Sequence, residues 1–185
     1  RLHLGLNPDK KTLLFFGLIR PYKGLLDLIN AFAHLDDTYQ LLIAGEVYGD
    51  DQSYHAALGQ LPFANWVFHN RYIAEAEVDS YFAAADLVVL PYLSATQSGI
   101  RAMALSQQRA VLCTNVGGLA EGLAAQNQGF ELASTLAPEF ALRIQQLFNQ
   151  GDIEACNRHL SLLNLDLEQA WLSFAQGISA LVEEG

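Results

Sequence analysis

The chain has 185 residues, of which 51% are hydrophobic, and carries a formal charge of −10 from 20 acidic and 10 basic side chains. This composition supports one compact domain with a substantial core and excludes a disordered chain. The charge argues against a nucleic-acid backbone or a polybasic membrane contact, while leaving room for a small anionic ligand held by two or three local cations.

Strand-like and helix-like segments alternate along the chain. Thr12 to Gly17 is a short apolar run ending in glycine. Leu25, Leu28, Ile29, Phe32 and Leu35 then recur at helical spacing, which predicts a helix over Leu25 to Leu35. Gln40 to Ala44 reads as a strand, Gly45 to Asp51 as a loop, and Tyr54 to Leu61 as a short helix. Trp66 to His69 is a third strand. Ala76 to Ala85 is helical, with Val78, Tyr81 and Phe82 inward. Leu87 to Leu90 is a continuous apolar strand, Gly99 to Gln107 a helix and Ala110 to Cys113 a further strand. Gly117-Gly118 is expected to open a short helix, Phe130 to Leu132 to form a last strand, and Pro138 to Gln150 a helix begun near its proline. In the tail, Leu167, Trp171, Phe174, Ile178 and Leu181 follow a 4-3-4-3 spacing, that of an amphipathic helix covering this domain or a partner domain.

Unbroken apolar strands alternating with helices predict an α/β fold: a doubly wound, Rossmann-like parallel sheet with helices on both faces. Ligands bind such sheets beyond the carboxyl ends of the strands, so the loops after the strands carry the functional expectations. The chain is read as a single domain over 1–185, with 1–11 an N-terminal linker and 151–185 C-terminal helices. It begins at Arg1 rather than Met, which suits a processed chain or an excised piece. Cys113 and Cys156 lie in apolar stretches without metal-like spacing, as expected of buried, reduced thiols in a cytoplasmic protein. No apolar run approaches the roughly 20 residues of a membrane span.

Four of the ten cations fall on the expected ligand edge: Arg20 and Lys23 after the first strand, Arg71 after the third, and Arg101 after Pro91. Arginine can hold phosphate oxygens bidentately and lysine supplies a point charge; solvated loop charges are the plainer reading. The segment Ser94-Ala95-Thr96-Gln97-Ser98-Gly99-Ile100 joins a strand to a helix start. Its small residues, hydroxyls and helix-dipole end are the chemistry of a phosphate cradle, or simply a hydroxyl-rich helix N-terminus. Gly117 and Gly118 let a ligand or another backbone come close. Glu46 follows Gly45 at a strand end and Glu121 follows the Gly117-Gly118 turn; each offers an acceptor for ribose or sugar hydroxyls, although Glu121 also suits a cap on the short helix. His69 ends the third strand and is read as structural. No metal pattern, Ser-His-Asp or Cys-His arrangement can be traced.

Taken in order, the segments LLFFGLIRPYKGLLDLINAF, QLLIAGEVYG, VFHNRYIAEAEVDSYFAAADLVVLPYLSATQSGIRA and AVLCTNVGGLAEGL resemble the C-terminal domain of retaining GT-B glycosyltransferases, glycosyltransferase family 4. The resemblance covers Thr12 to about Ala124. It implies a second, acceptor-binding domain absent from this chain, and a nucleotide-diphosphate sugar as donor for transfer to a glycan or lipid-linked acceptor. No cofactor or bound metal is implied, because protein cations and helix dipoles replace it. By position, Arg20 and Lys23 would act on the donor diphosphate. Gly17 and Glu46 would line the site, Tyr72 and Ile73 the nucleobase slot, and Thr96, Gln97, Ser98, Gly99 and Ile100 the phosphates and sugar. Gly117, Gly118 and Glu121 would complete it. A hexosyltransferase of polysaccharide biosynthesis is implied, cytoplasmic or membrane-peripheral when full length, with the isolated domain inactive.

Three departures stand out. Two glutamates eight residues apart, common in the family, are Ala95 and Met103 here, although a branch with the S-A-T-Q-S-G loop also lacks the first. The usual Gly-x-Pro is Gln108-Arg109-Ala110, and the more usual GG-x-PE is Gly117-Gly118-Leu119-Ala120-Glu121. These keep open a degenerate, non-catalytic module that binds a nucleotide or a partner.

Overall fold

Residues 1–164 are described in the computed structural model. Six strands form one parallel sheet: β1 (Lys11–Phe16), β2 (Tyr39–Ala44), β3 (Trp66–His69), β4 (Leu87–Leu90), β5 (Ala110–Thr114) and β6 (Gly129–Leu132). Their order is β3-β2-β1-β4-β5-β6. The helices between them are α1 (Leu25–Phe32), α2 (Gln52–Leu58), α3 (Glu75–Ala84), α4 (Gly99–Ser106) and, after β6, α5 (Ala137–Asn149). Residues 152–164 are helical as well. The amphipathic tail expected around Leu167 to Leu181 lies outside the described residues.

The continuous apolar strands work because both faces of the sheet are covered, and side chains alternate across it. Leu13, Phe15, Leu41, Ile43, Leu87 and Val89 point to one face, where Leu25, Leu28, Ile29 and Phe32 of α1 and Phe140, Ile144 and Leu147 of α5 meet them. Leu14, Phe16, Leu42, Val88 and Leu90 point to the other, against Tyr81 and Phe82 of α3 and Ala104 of α4. Tyr81 and Phe82 are fully buried and Val78 is packed beside them, as their spacing predicts.

Three expectations need correction. The segment before β1, read as a linker, is packed down: Leu4 and Leu6 are buried, and Arg1 pairs with Asp86 just ahead of β4. The helix expected to Leu35 ends at Phe32, and Leu35 is reached through tight turns, with hydrogen bonds from His34 N to Ala31 O and from Leu35 N to Phe32 O. No helix follows Gly117-Gly118. The stretch 115–128 is a chain of turns, because left-handed backbone at Gly117, Gly122 and Asn127 interrupts any helical run.

In this strand order the connections leave in opposite directions at β1 and β4. That reversal opens a crevice between their carboxyl ends, where doubly wound sheets receive ligands.

Candidate functional site

Two loops build the crevice. After β1, the chain makes a short 3-10 turn over Pro21–Lys23 and closes at Gly24 with φ 69°. A Cβ at Gly24 would run into the Pro91 carbonyl, so the turn sits directly on the end of β4. Leu93 N donates to Tyr22 O at 2.7 Å, which ties the second loop to the first. The result is an open cleft of about 600 Å³ lined by Tyr22, Lys23, Tyr92 and the segment Ser94 to Ile100. We call it the inner cleft. Ser98 caps α4, its Oγ accepting from Arg101 N at 3.3 Å, so the helix opens onto this cleft with its first amides free of intrahelical acceptors.

Lys23 is the cation of the inner cleft. It is buried, at 9% exposure, and among the described residues it makes no ion pair. Burial, and then the neighbouring Arg20 charge, hold its pKa below the ordinary lysine value. Its Nζ lies 5.5 Å from the centre of the Tyr92 ring. A buried ammonium without a counter-charge is costly, and an anion in the cleft would relieve it. Arg20 does not line the cleft. Its guanidinium stacks 4.5 Å from the centre of the exposed Tyr48 ring, on the loop after β2, and makes no ion pair among the described residues.

Beside the inner cleft, a narrower slot of about 310 Å³ is walled by Phe16, Gly17, Leu18, Gly45, Glu46, Tyr72 and Ile73. The structure therefore brings Gly17, Glu46, Tyr72 and Ile73 together. Gly17 is the hinge between the two spaces: a Cβ there would collide with the Ile100 side chain and approach Lys23 Nζ to 3.8 Å. His69 closes the strand behind the slot. Its Nδ1 is hydrogen-bonded to the Tyr81 hydroxyl at 2.7 Å, and burial and the Arg71 charge lower its pKa.

On the far side of the Ser94–Ser98 loop lies an outer cleft of about 650 Å³, lined by Thr96, Gln97, Ser98, Arg101, Gly118 and Glu121 among others. Here the protein satisfies its own groups. Arg101 donates to the carbonyls of Gly118 and Leu119 at 3.1 and 3.0 Å, and also to that of Glu121. Gly117, at φ 53°, packs its bare Cα under the Ala95 carbonyl, and Gly118 N donates to Thr96 O at 3.2 Å. The paired glycines thus serve another stretch of backbone. Arg71 is likewise engaged, with Glu77 through both terminal guanidinium nitrogens and with the Tyr72 carbonyl at 3.0 Å. Of the four rim cations, Arg71 and Arg101 are structural staples, Arg20 stands beside the cleft, and Lys23 is in it.

Several lining residues were missed by sequence reasoning. Tyr22 and Tyr92 carried no expectation, although Tyr22 sits between Pro21 and Lys23 and Tyr92 lies just past the end of β4, so the strand-end rule applied to both. Burial pushes the Cys113 thiol up to about 12 and Cys156 to about 11, which leaves neither as a thiolate at neutral pH. Among the described residues no group of three His, Cys, Asp or Glu side chains comes together, and no helix is long and apolar enough to cross a membrane.

Comparison with known proteins meets this geometry. The family described as glycosyl transferases group 1 matches residues 10–150. A D-inositol 3-phosphate glycosyltransferase of Segniliparus rotundus is 30% identical over 145 residues, which is 75% of this chain and 32% of that protein. Among solved structures, WaaG, a glycosyltransferase involved in lipopolysaccharide biosynthesis, superposes with a TM-score of 0.76 at 22% identity, covering 89% of this chain and 45% of that one. Anabaena Alr3699/HepE in complex with UDP-glucose gives a TM-score of 0.70 at 18% identity, covering 89% and 49%. The chain spans about a third of the curated relative and about half of each structure. From β1 to the end of α5 it belongs to the glycosyl transferases group 1 family, with the Rossmann-like sheet of a GT-B glycosyltransferase.

Proposed function

We propose that this chain is the donor-binding half of a glycosyltransferase and holds a nucleotide-diphosphate sugar across the carboxyl ends of β1 and β4. The observation that carries the reading is Lys23: a buried ammonium, without an ion pair among the described residues, that shares one cleft with the start of α4. In this arrangement the diphosphate lies in the inner cleft and the nucleobase in the slot beside Tyr72 and Ile73. The diphosphate is the leaving group of sugar transfer, and Lys23 with the α4 amides stabilises the charge it gains as the glycosidic bond breaks. Arg20 adds charge by leaving its perch on Tyr48. No metal takes part. Transfer is retaining and of hexosyl type, to a glycan or lipid-linked acceptor held by a second domain, in a cytoplasmic or membrane-peripheral setting. The chain alone does not transfer. The HepE structure with UDP-glucose supports a nucleotide sugar as the ligand class.

A second reading, a non-catalytic module, draws on one observation. Where many family members carry carboxylates, this chain has Ala95 and a half-buried Met103 packed on the core. A thermal-shift screen with UDP, GDP, ADP and their sugars separates the two, since a ligand that binds only the native state raises the melting temperature. The donor-site reading expects a shift with one nucleoside diphosphate, reduced by Lys23→Ala and by Arg20→Ala. No shift with any diphosphate at millimolar concentration favours the second reading.

A further inference from the structure

The geometry points to Tyr92 as a ligand-contacting residue: its phenol donates a hydrogen bond to the phosphate group that Lys23 neutralises, fixing that group against the start of α4. The inference rests on the reading of the inner cleft as a nucleoside-diphosphate site.

Buried polar atoms in folded proteins are almost always hydrogen-bonded. Among the described residues two buried side-chain atoms have no partner, Asn65 Oδ1 and the Tyr92 hydroxyl. Asn65 stands at the amino end of β3, away from the crevice. Tyr92 is 3% exposed and lines the inner cleft.

Its position is fixed from several sides. The Tyr92 carbonyl accepts from Thr114 Oγ1 at 2.6 Å, and Tyr22 meets the ring edge-on with centres 6.3 Å apart. The Lys23 ammonium lies beside the same ring. Ser98 is close enough to bear on the ionisation of the phenol. Even so, no hydrogen bond of proper geometry joins the two hydroxyls; Ser98 Oγ accepts from the Arg101 backbone. Packing does not require the oxygen, because phenylalanine would fill the same space without an unmatched hydroxyl.

The neighbouring charge says what the missing partner is. An unpaired ammonium and an unmatched hydroxyl share one cleft, so the acceptor that answers both is anionic. Burial holds the phenol pKa above its ordinary value, which keeps the proton on it and makes it a donor at neutral pH. The hydroxyl is buried in the ligand-free cleft, so the proposal includes a small shift of the Ser94–Ser98 loop on binding.

Calorimetric titration of the 185-residue chain with UDP, GDP and ADP tests this, run on the wild type and Tyr92→Phe beside the ligand-free melting temperature of each. The expected result is that the diphosphate bound by the wild type binds Tyr92→Phe about tenfold or more weakly. The ligand-free melting temperature should stay the same or rise, because an unpaired buried hydroxyl has been removed. Equal affinities would overturn the role of Tyr92 and leave the diphosphate reading standing. A lower ligand-free melting temperature would mean that the hydroxyl is bonded within the protein, and would also overturn it. Absence of binding to the wild type by all three diphosphates would overturn both.

Discussion

The inner and outer clefts share the Ser94–Ser98 loop as their common wall and have similar volumes, yet they differ in who satisfies their polar groups. In the outer cleft Arg101 is engaged by three main-chain carbonyls, and Gly117 and Gly118 are used by the backbone of Ala95 and Thr96. In the inner cleft Lys23 has no counter-charge among the described residues and the Tyr92 hydroxyl has no acceptor. A positive side chain on a rim is therefore weak evidence of a site. A positive side chain that the fold buries and leaves unpaired is stronger, because its cost has to be offset from outside.

The comparison can be broken at either cleft. Lys23→Ala should weaken binding of a nucleoside diphosphate by about 10- to 100-fold, the worth of charge-assisted hydrogen bonds. It should leave the ligand-free melting temperature unchanged or higher, as read by calorimetry and thermal denaturation. Arg101→Ala should do the reverse. Loss of its bonds to the 118–121 turn should cost about 2 kcal/mol and lower the melting temperature by roughly 5 °C, with binding affected only as far as the loop loosens.

Gly117→Ala tests the shared wall. It puts a methyl group against the Ala95 carbonyl in a left-handed conformation and should cost about 1–2 kcal/mol by denaturant titration. The smallest effect is the pH dependence of the inner cleft. Because the Lys23 pKa is depressed in the folded state, the unfolded chain binds the proton more tightly. Ligand-free stability should therefore rise as pH climbs from the folded pKa towards the ordinary lysine value. Diphosphate affinity should fall over the same window as the ammonium is lost, and both trends should vanish in Lys23→Ala.

The sheet could be read from the chain because buried parallel strands leave a plain signature. Leu13 to Phe16, Leu41 to Ala44 and Leu87 to Leu90 are apolar without interruption, and the helices between them keep a clear period. The short helix expected to open at Gly117-Gly118 is a run of turns, since left-handed residues such as Asn127 leave no periodic trace. Within the site, Lys23 and the Ser94–Ile100 segment were legible from their places at strand ends, and Tyr72 and Ile73 only through the family resemblance. The engagement of Arg71 and Arg101 was not, because it depends on Glu77 and on the carbonyls of a turn, and carbonyl direction is set by backbone conformation rather than residue type. Tyr92 was missed for a related reason: an aromatic at a strand end looks like core until its hydroxyl is followed to an acceptor and none is found.

A crystal structure of the chain with its nucleoside diphosphate bound tests the central claim most directly. The account predicts the diphosphate in the inner cleft, with an oxygen on Lys23 Nζ and others on the amides at the start of α4. A diphosphate seated in the outer cleft against Arg101, with Lys23 still unpaired, would contradict it.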